Sequence, residues 1–246
     1  MRVNENTAIH TSKILLVPYD AHHVGRYHEW MQNETLREAT ASDLLSLEEE
    51  YENQQSWRTA HDKLTFIVCL PAAGTDSGVI CAGDEDAPLR MVGDVNLFLT
   101  PLDDDSGDGE VGVNGSKEER DEIKGEIDIM IAAPEHRRKG LGEAAVRAFL
   151  RYLTENHNSV MEEYLQAAGM KAARIKRLVA KIHATNAGSI RLFGNLRFRR
   201  DGDPDYFGEI SMLADFPPPI AGIGGGDGDD GLGYRECFYD RARLDK

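Results

Sequence analysis

The sequence predicts a mixed α/β domain, and three observations carry that expectation. Short runs rich in β-branched and aromatic residues alternate with stretches whose apolar residues recur at helical spacing. One expected strand leads straight into a helix through a basic, glycine-bearing turn at Arg137 to Gly142. The 246 residues, 41% hydrophobic and 29% charged, have the make-up of one ordinary globular domain, and no apolar run approaches the ~20 residues of a membrane span.

Ile14 to Val17 ahead of Pro18 reads as a short buried strand, and Asp20 then caps a helix to about Met31 with Val24, Tyr27 and Met31 on one face. Ser46 and Glu49 have capping-box spacing, in which each side chain satisfies a free amide of the other's backbone, so a second helix is expected to about Trp57. Lys63 to Leu70 and Arg90 to Leu99 are rich in β-formers. Glu126 to Ile131 places isoleucines on one face and Glu126, Asp128 and Met130 on the other, the period of a half-buried strand that Pro134 ends. Ala145, Val146, Phe149, Leu150 and Leu153 then recur at helical spacing, giving a helix to about Thr154. A helix over Val160 to Lys176, a strand over Leu178 to Ile182, a helix over Ala187 to Leu196 and a strand over Tyr206 to Leu213 complete the expected order.

Acidic or Gly/Pro-rich segments interrupt this pattern and bury too little apolar surface to offset their ordering entropy. The expected organisation is one domain over 1–215, with insertions near 72–88, 103–122 and 155–176, and a flexible linker and tail over 216–246. Tyr234 to Leu244 regains aromatic residues; docking as a strand or as a short helix stays open.

The formal net charge of -15 argues against nucleic acid, whose affinity comes mainly from Lys and Arg, and favours basic or amine-bearing partners. Cys69, Cys81 and Cys237 lie far apart without ligand spacing, so neither disulfides nor a zinc or other metal site is expected. Met1 to Asn6 lacks the character of a secretory or transit leader, and a cytoplasmic location is expected. Gly222 to Gly231 has the acidity of a calcium loop but not its closing glutamate, and a linker is the favoured reading.

Arg137-Arg138-Lys139-Gly140-Leu141-Gly142 carries the chemistry. A helix N-terminus leaves amides unpaired and bears partial positive charge, which suits a pyrophosphate, and glycines let the backbone approach closely. Neither a Gly-x-x-x-x-Gly-Lys-Ser/Thr loop nor a Gly-x-Gly-x-x-Gly after an early strand is present, so nucleotide hydrolysis and dinucleotide binding drop away.

The block from Glu126 to Leu153 resembles the coenzyme A motif of the GCN5-related N-acetyltransferases, and Asn186-x-x-Ser-x-x-Leu-Phe-x-x-Leu-x-Phe198 resembles their second motif. Val17-Pro-Tyr, Tyr27-His-Glu-Trp-Met and Met91-Val-Gly-Asp-Val-Asn-Leu-Phe-Leu99, with further short matches over most of 1–214, are similar to the N-acetyltransferase 9-like family. The resemblance implies a mixed, mostly antiparallel sheet with flanking helices, splayed between its fourth and fifth strands, here the strands near 126–131 and 178–182. It implies acetyl-coenzyme A as co-substrate. The pantetheine arm would pair with backbone at Ile129, Ile131 and Ala132, and the pyrophosphate would meet Arg137, Arg138, Lys139, Gly140, Leu141, Gly142 and Glu143. Asn186 matches a position that touches the arm, and an asparagine there also suits a helix N-cap.

Direct transfer needs a base and an oxyanion stabiliser. Glu126 matches the general base of the histone-acetylating members, and Asp128 lies two residues on along the same face; either carboxylate serves through a water. Phe193 stands where an acid tyrosine is common, Arg197 where glycine is usual, and Tyr206 is a substitute acid; a thiol of pKa ~8.5 leaves as thiolate without much help. The resemblance implies that Trp30 to Thr40 and Pro204 to Glu209 choose the acceptor, and that the acceptor is a protein N-terminus, with tubulin a candidate. The alternatives are a small-molecule amine acetyltransferase, or a non-catalytic coenzyme A-binding protein of the cytoskeleton.

Overall fold

The structure, a computed structural model, describes residues 1–72, 78–102, 121–219, 231–242 and 244. Two short strands, β1 (Thr7–His10) and β2 (Leu15–Pro18), precede three helices, α1 (Val24–Met31), α2 (Glu34–Ala39) and α3 (Leu47–Thr59). Then come β3 (Lys63–Cys69), β4 (Val79–Cys81), β5 (Met91–Pro101), β6 (Asp121–Ile131), α4 (Leu141–Glu155) and α5 (His157–Ala168). The order ends with β7 (Ala173–His183), α6 (Ala187–Asn195), β8 (Arg199–Asp201), β9 (Glu209–Asp215) and β10 (Arg235–Asp240). The strands form a single sheet ordered β4-β10-β1-β2-β3-β5-β6-β7-β9-β8. Among the described residues its pairs are antiparallel except β6 with β7 and β10 with β4.

Helix α4 packs its apolar stripe on one face of this sheet. Phe149, fully buried, meets the Phe66 ring edge-on at 6.0 Å, and Tyr152 meets it at 5.2 Å. Each such ring contributes roughly 1.5–3 kcal/mol by burial. A smaller cluster on the opposite face joins Tyr19, Trp30, Met31 and Leu36 to Met130 and Ala132 of the β6 strand and its exit. The alternation over Glu126 to Ile131 thus serves two cores, isoleucines toward α4 and Met130 toward α1 and α2.

The capping box at α3 forms as expected, with Glu49 N–H donating to Ser46 Oγ at 3.3 Å and Ser46 N–H to Glu49 Oε2 at 2.7 Å. Asp20 precedes a 3-10 turn at Ala21–His23 before α1 begins, and its carboxylate accepts two bonds from the Arg241 guanidinium, at 2.7 and 3.3 Å.

Several elements differ from the sequence-based expectation. The helix expected to reach Lys176 stops at Ala168, where Gly169 turns left-handed with φ +66°, and β7 already begins at Ala173. Helix α5 buries Val160, Met161 and Tyr164 in the main core, so 155–176 is packed structure. Residues 79–81, expected in an insertion, are the short strand β4. The segment beyond 216 is not a free tail throughout, because β10 pairs with β1 from Thr7↔Phe238 to His10↔Arg235. Residues 103–120, and the candidate calcium loop apart from Gly231, lie outside the described residues.

A buried network fastens β10. The Asp86 carboxylate accepts from His22 Nε2 and His23 Nε2, both at 3.0 Å, from the Tyr239 hydroxyl, and from Gly83 N–H at 2.6 Å. Burial pushes this carboxyl's pKa up, but the bonds from His22, His23 and Tyr239 win and hold it well below the usual carboxylate range. Asp20 N–H donates to His23 Nδ1 at 3.0 Å, so Nε2 carries the proton that goes to Asp86. That tautomer makes His23 a donor here and unsuited to hold a cation through the same nitrogen.

Candidate active site

The parallel pairing of β6 with β7 runs from Asp121↔Ala173 to Glu126↔Val179 and stops. Beyond it, β6 stays on β5 as far as Ile131↔Gly93, while β7 stays on β9 as far as His183↔Glu209. The sheet therefore forks at Ile127. Ala132 N–H donates to Val92 on the β5 side, so by alternation the backbone groups of Ile129 and Ile131 face the gap. An unpaired strand edge of this kind accepts an extended ligand arm.

The first turn of α4 sits at the mouth of the fork. A Cβ on Gly142 would lie 3.1 Å from Leu192 Cδ1 of α6, and 3.7 and 3.8 Å from the side chains of Ile131 and Ile129. Gly140, the N-cap, is left-handed at φ +76°, and Arg138 at φ +58°. Ala144 N–H is the first to reach back, to Gly140 O at 3.1 Å, so helix geometry leaves the amides of Leu141, Gly142 and Glu143 for an anion.

The basic residues of the turn divide their work. Arg137 points back along the chain, donating from Nε to Ile131 O and from Nη2 to Ala132 O, each at 2.8 Å, and so braces the end of β6. Arg138 and Lys139 make no hydrogen bond or ion pair among the described residues. The sequence reading missed Lys13: its Nζ lies 3.6 Å from where a Gly140 Cβ would stand, brought there by the β1–β2 turn. Nothing in the local sequence marks that approach. The Glu143 carboxylate accepts from Asn195 Nδ2 at 3.1 Å, and Asn186 Oδ1 caps α6 by accepting Ser189 N–H at 3.1 Å.

The carboxylates stand on the other face of the sheet. Cross-strand partners Asn96↔Asp128, Phe98↔Glu126 and Asp94↔Met130 put Asp94, Asn96, Glu126 and Asp128 on one surface. Lys181 Nζ lies 3.2 Å from Glu126 Oε2. Solvent reaches Asp128, yet the protein around it removes much of its hydration. That desolvation, with the charges of Glu126, Asp94 and Glu209, outweighs Lys181 and raises its pKa to about 7. Asp94 is buried, accepts from Asn96 Nδ2 at 2.9 Å and Tyr27 Oη at 3.3 Å, and is pushed up to about 6 by burial. Sequence reasoning passed over Asp94 and Asn96; the signal was a polar pair inside an apolar strand, Val92 to Leu99.

The other named residues are placed less centrally. Phe193 is buried against Phe198 with ring centroids 5.1 Å apart, and Tyr206 is 96% exposed. Arg197 has φ +67°, the conformation for which glycine is the usual residue. His183 Nδ1 pairs with Thr185 Oγ1 at 2.8 Å at the strand end. Trp30 is buried in the smaller core, and Trp57 meets Phe98 edge-on at 5.8 Å.

Residues 13–199 match the acetyltransferase (GNAT) domain family. The chain belongs to the GNAT acetyltransferases. An N-acetyltransferase 9-like protein of Schizosaccharomyces pombe is 37% identical over 223 residues, which cover 86% of this chain and 97% of the relative. The alpha/beta-tubulin-N-acetyltransferase 9 proteins of Drosophila melanogaster and Homo sapiens are 37% and 38% identical, over 89% and 86% of this chain and 91% and 84% of theirs. Among solved structures, spermidine N-acetyltransferase from Vibrio cholerae, in complex with CoA and spermine, superposes with TM-score 0.54 at 16% identity, over 83% of this chain and 96% of that one. A GNAT-family acetyltransferase from Bacillus anthracis gives 0.53 at 14%, over 85% and 98%. This GNAT chain is thus an N-acetyltransferase by family, with the expected splayed, mostly antiparallel sheet. No helix among the described residues is long and apolar enough to cross a membrane.

Proposed function

We propose that the protein transfers an acetyl group from acetyl-coenzyme A directly to the N-terminal amine of a cytoplasmic protein. The observation that carries this is the coincidence at one fork of an unpaired β6 edge, a glycine-bearing helix N-terminus and, on the opposite face, a carboxylate held near neutrality. The residues present fit the ligand. The amides of Leu141, Gly142 and Glu143 hold the pyrophosphate, Arg138, Lys139 and Lys13 add positive charge, and Ile129 and Ile131 pair with the pantetheine arm. Asn186, while capping α6, borders the arm.

Acetyl-coenzyme A supplies a thioester whose thiol leaves readily. The acceptor nitrogen forms a C–N bond to the acetyl carbon as the C–S bond breaks, the electron pair leaves on sulfur, and the amine's proton passes to Asp128. Asp128 is favoured over Glu126 because Lys181 engages Glu126, while a carboxylate of pKa about 7 matches the task of a base at neutral pH. Glu126 then acts on Asp128 by raising its basicity. Tubulin is the candidate acceptor, on the names of the fly and human relatives. Calorimetric titration with acetyl-coenzyme A, followed by mass-spectrometric screening of peptides that include tubulin N-termini, tests the reading. Binding with acetylation of peptide α-amines is expected; binding with turnover of free polyamines alone replaces the acceptor, and no binding refutes the site.

A further inference from the structure

The far edge of the sheet carries positive charge that the net charge of -15 conceals. Arg177 of β7, Arg197 in the turn after α6, and Arg199 and Arg200 of β8 line a cavity of about 230 Å³, together with Asp201 and Asp215. Arg200 Nε donates to Gly202 O at 3.1 Å. The guanidinium groups of Arg177, Arg197 and Arg199 make no hydrogen bond or ion pair among the described residues, the two flanking aspartates included. Among the described residues the four arginines outnumber the two aspartates of the lining, and such a cluster carries a cost in mutual repulsion. Arg197 adds a backbone cost, because its φ of +67° is one that a residue with a Cβ adopts less readily than glycine.

The cavity is aligned with the transfer site. Past the β-bulge opposite Ile123 and Lys124, β7 directs Arg177, Val179 and Lys181 to one face, and Lys181 there meets Glu126. Four strand steps separate Arg177 from Lys181, about 13 Å. A peptide that presents its terminal amine at Asp128 therefore lays its next several residues within reach of the arginines.

We propose that this cavity binds a carboxylate side chain of the acceptor protein, so that an acidic residue about four to six positions from the acetylated end is recognised together with the amine. Guanidinium forks match carboxylates in bidentate geometry, and the cavity has the size of a side chain or two. Repulsion from the rest of the molecule disfavours a long polyphosphate, whereas local attraction within a Debye length of ~8 Å survives it. The position assigned to the acidic residue rests on the acetyl-transfer reading; binding of a carboxylate by the arginines does not.

Two measurements test this. Fluorescence anisotropy follows a short labelled peptide with a blocked N-terminus and glutamates at its fifth and sixth positions, and steady-state kinetics follows the same peptide with a free amine beside a glutamine version. The Arg197→Ala/Arg199→Ala variant is expected to bind the blocked peptide about tenfold more weakly and to raise KM for the acidic peptide about tenfold, with kcat and the glutamine peptide unaffected; Arg199→Lys recovers part of the loss. Equal effects on both peptides, or no effect on either, overturn the proposal, as does an oligouridylate that binds this site more tightly than the peptide. If no peptide is acetylated, salt-sensitive binding that depends on the arginines sustains the cavity while the transfer reading falls, and absence of such binding overturns it.

Discussion

Asp94→Asn tests the electrostatics of the site through the stability of the fold. Asp94 is 2% exposed, its Oδ1 has no hydrogen-bond partner among the described residues, and burial raises its pKa from the ordinary 3.8 to about 6. A carboxyl whose native pKa exceeds its unfolded value binds its proton more tightly when folded, so stability falls as pH rises between the two values. The penalty is absent below about pH 4 and complete above about pH 7; a shift of roughly two units corresponds to ~3 kcal/mol. Asparagine keeps an oxygen for Asn96 Nδ2 and the Tyr27 hydroxyl and removes the charge. Urea titration at pH 7.5 should show the variant more stable by up to ~3 kcal/mol, and at pH 4 close to wild type. Asp94 also helps to raise Asp128, so the acid limb of the pH–rate profile should move below its wild-type position near 7. A variant destabilised equally at both pH values would refute the reasoning, because it would show that Asp94 acts through its hydrogen bonds and not its charge.

Other sites give sharper outcomes. Asp128→Asn should lower kcat by at least a hundredfold and abolish the acid limb near pH 7, whereas Glu126→Gln should keep activity and shift that limb downward; stopped assays across pH 5.5–9 separate them. Gly142→Leu puts a side chain where even a Cβ would lie 3.1 Å from Leu192, and should eliminate acetyl-coenzyme A binding in calorimetry. Tyr239→Phe removes one donor from the buried Asp86 carboxylate and should cost about 1–3 kcal/mol, read as a lower urea midpoint and faster proteolysis beyond residue 231.

How much of this was legible follows the range of the interactions. The capping box at Ser46, the alternation over Glu126 to Ile131 and the glycine turn into α4 are local, and the structure reproduces each of them. Strand β1 has only four residues and is held by β10, more than two hundred positions away, so no window of sequence contains both partners. Ala173 to Lys176 has good helix formers, but Arg174 donates to Glu122 at 2.7 Å and Lys176 bonds the same carboxylate, and the strand pairing with β6 prevails over propensity. Gly142 packs beside Ile129 and Ile131 and Arg137 reaches the end of β6, but the division of labour among the motif's residues was hidden. Whether Arg137 faces an anion or two backbone carbonyls depends on a turn geometry that its own side chain completes.

That bracing explains why the fork is compatible with a stable sheet. Ending the β6–β7 ladder at Glu126 leaves backbone groups of Ile127 to Ile131 without strand partners on that side among the described residues, and an unpaired edge is a site of fraying and misassociation. Arg137 satisfies one carbonyl facing the gap and a second just beyond it, from the turn that also delivers the helix amides. The gap is thus held open from one end by the segment proposed to bind the anion. On the opposite face the same strand carries Asp128, at a position where Asn96 stands across the β5 ladder. Because the pleat of one strand sends Ile129 and Asp128 to opposite faces, a ligand arm on the β6 edge and an amine over Asp128 approach the fork from different sides, without competing for space.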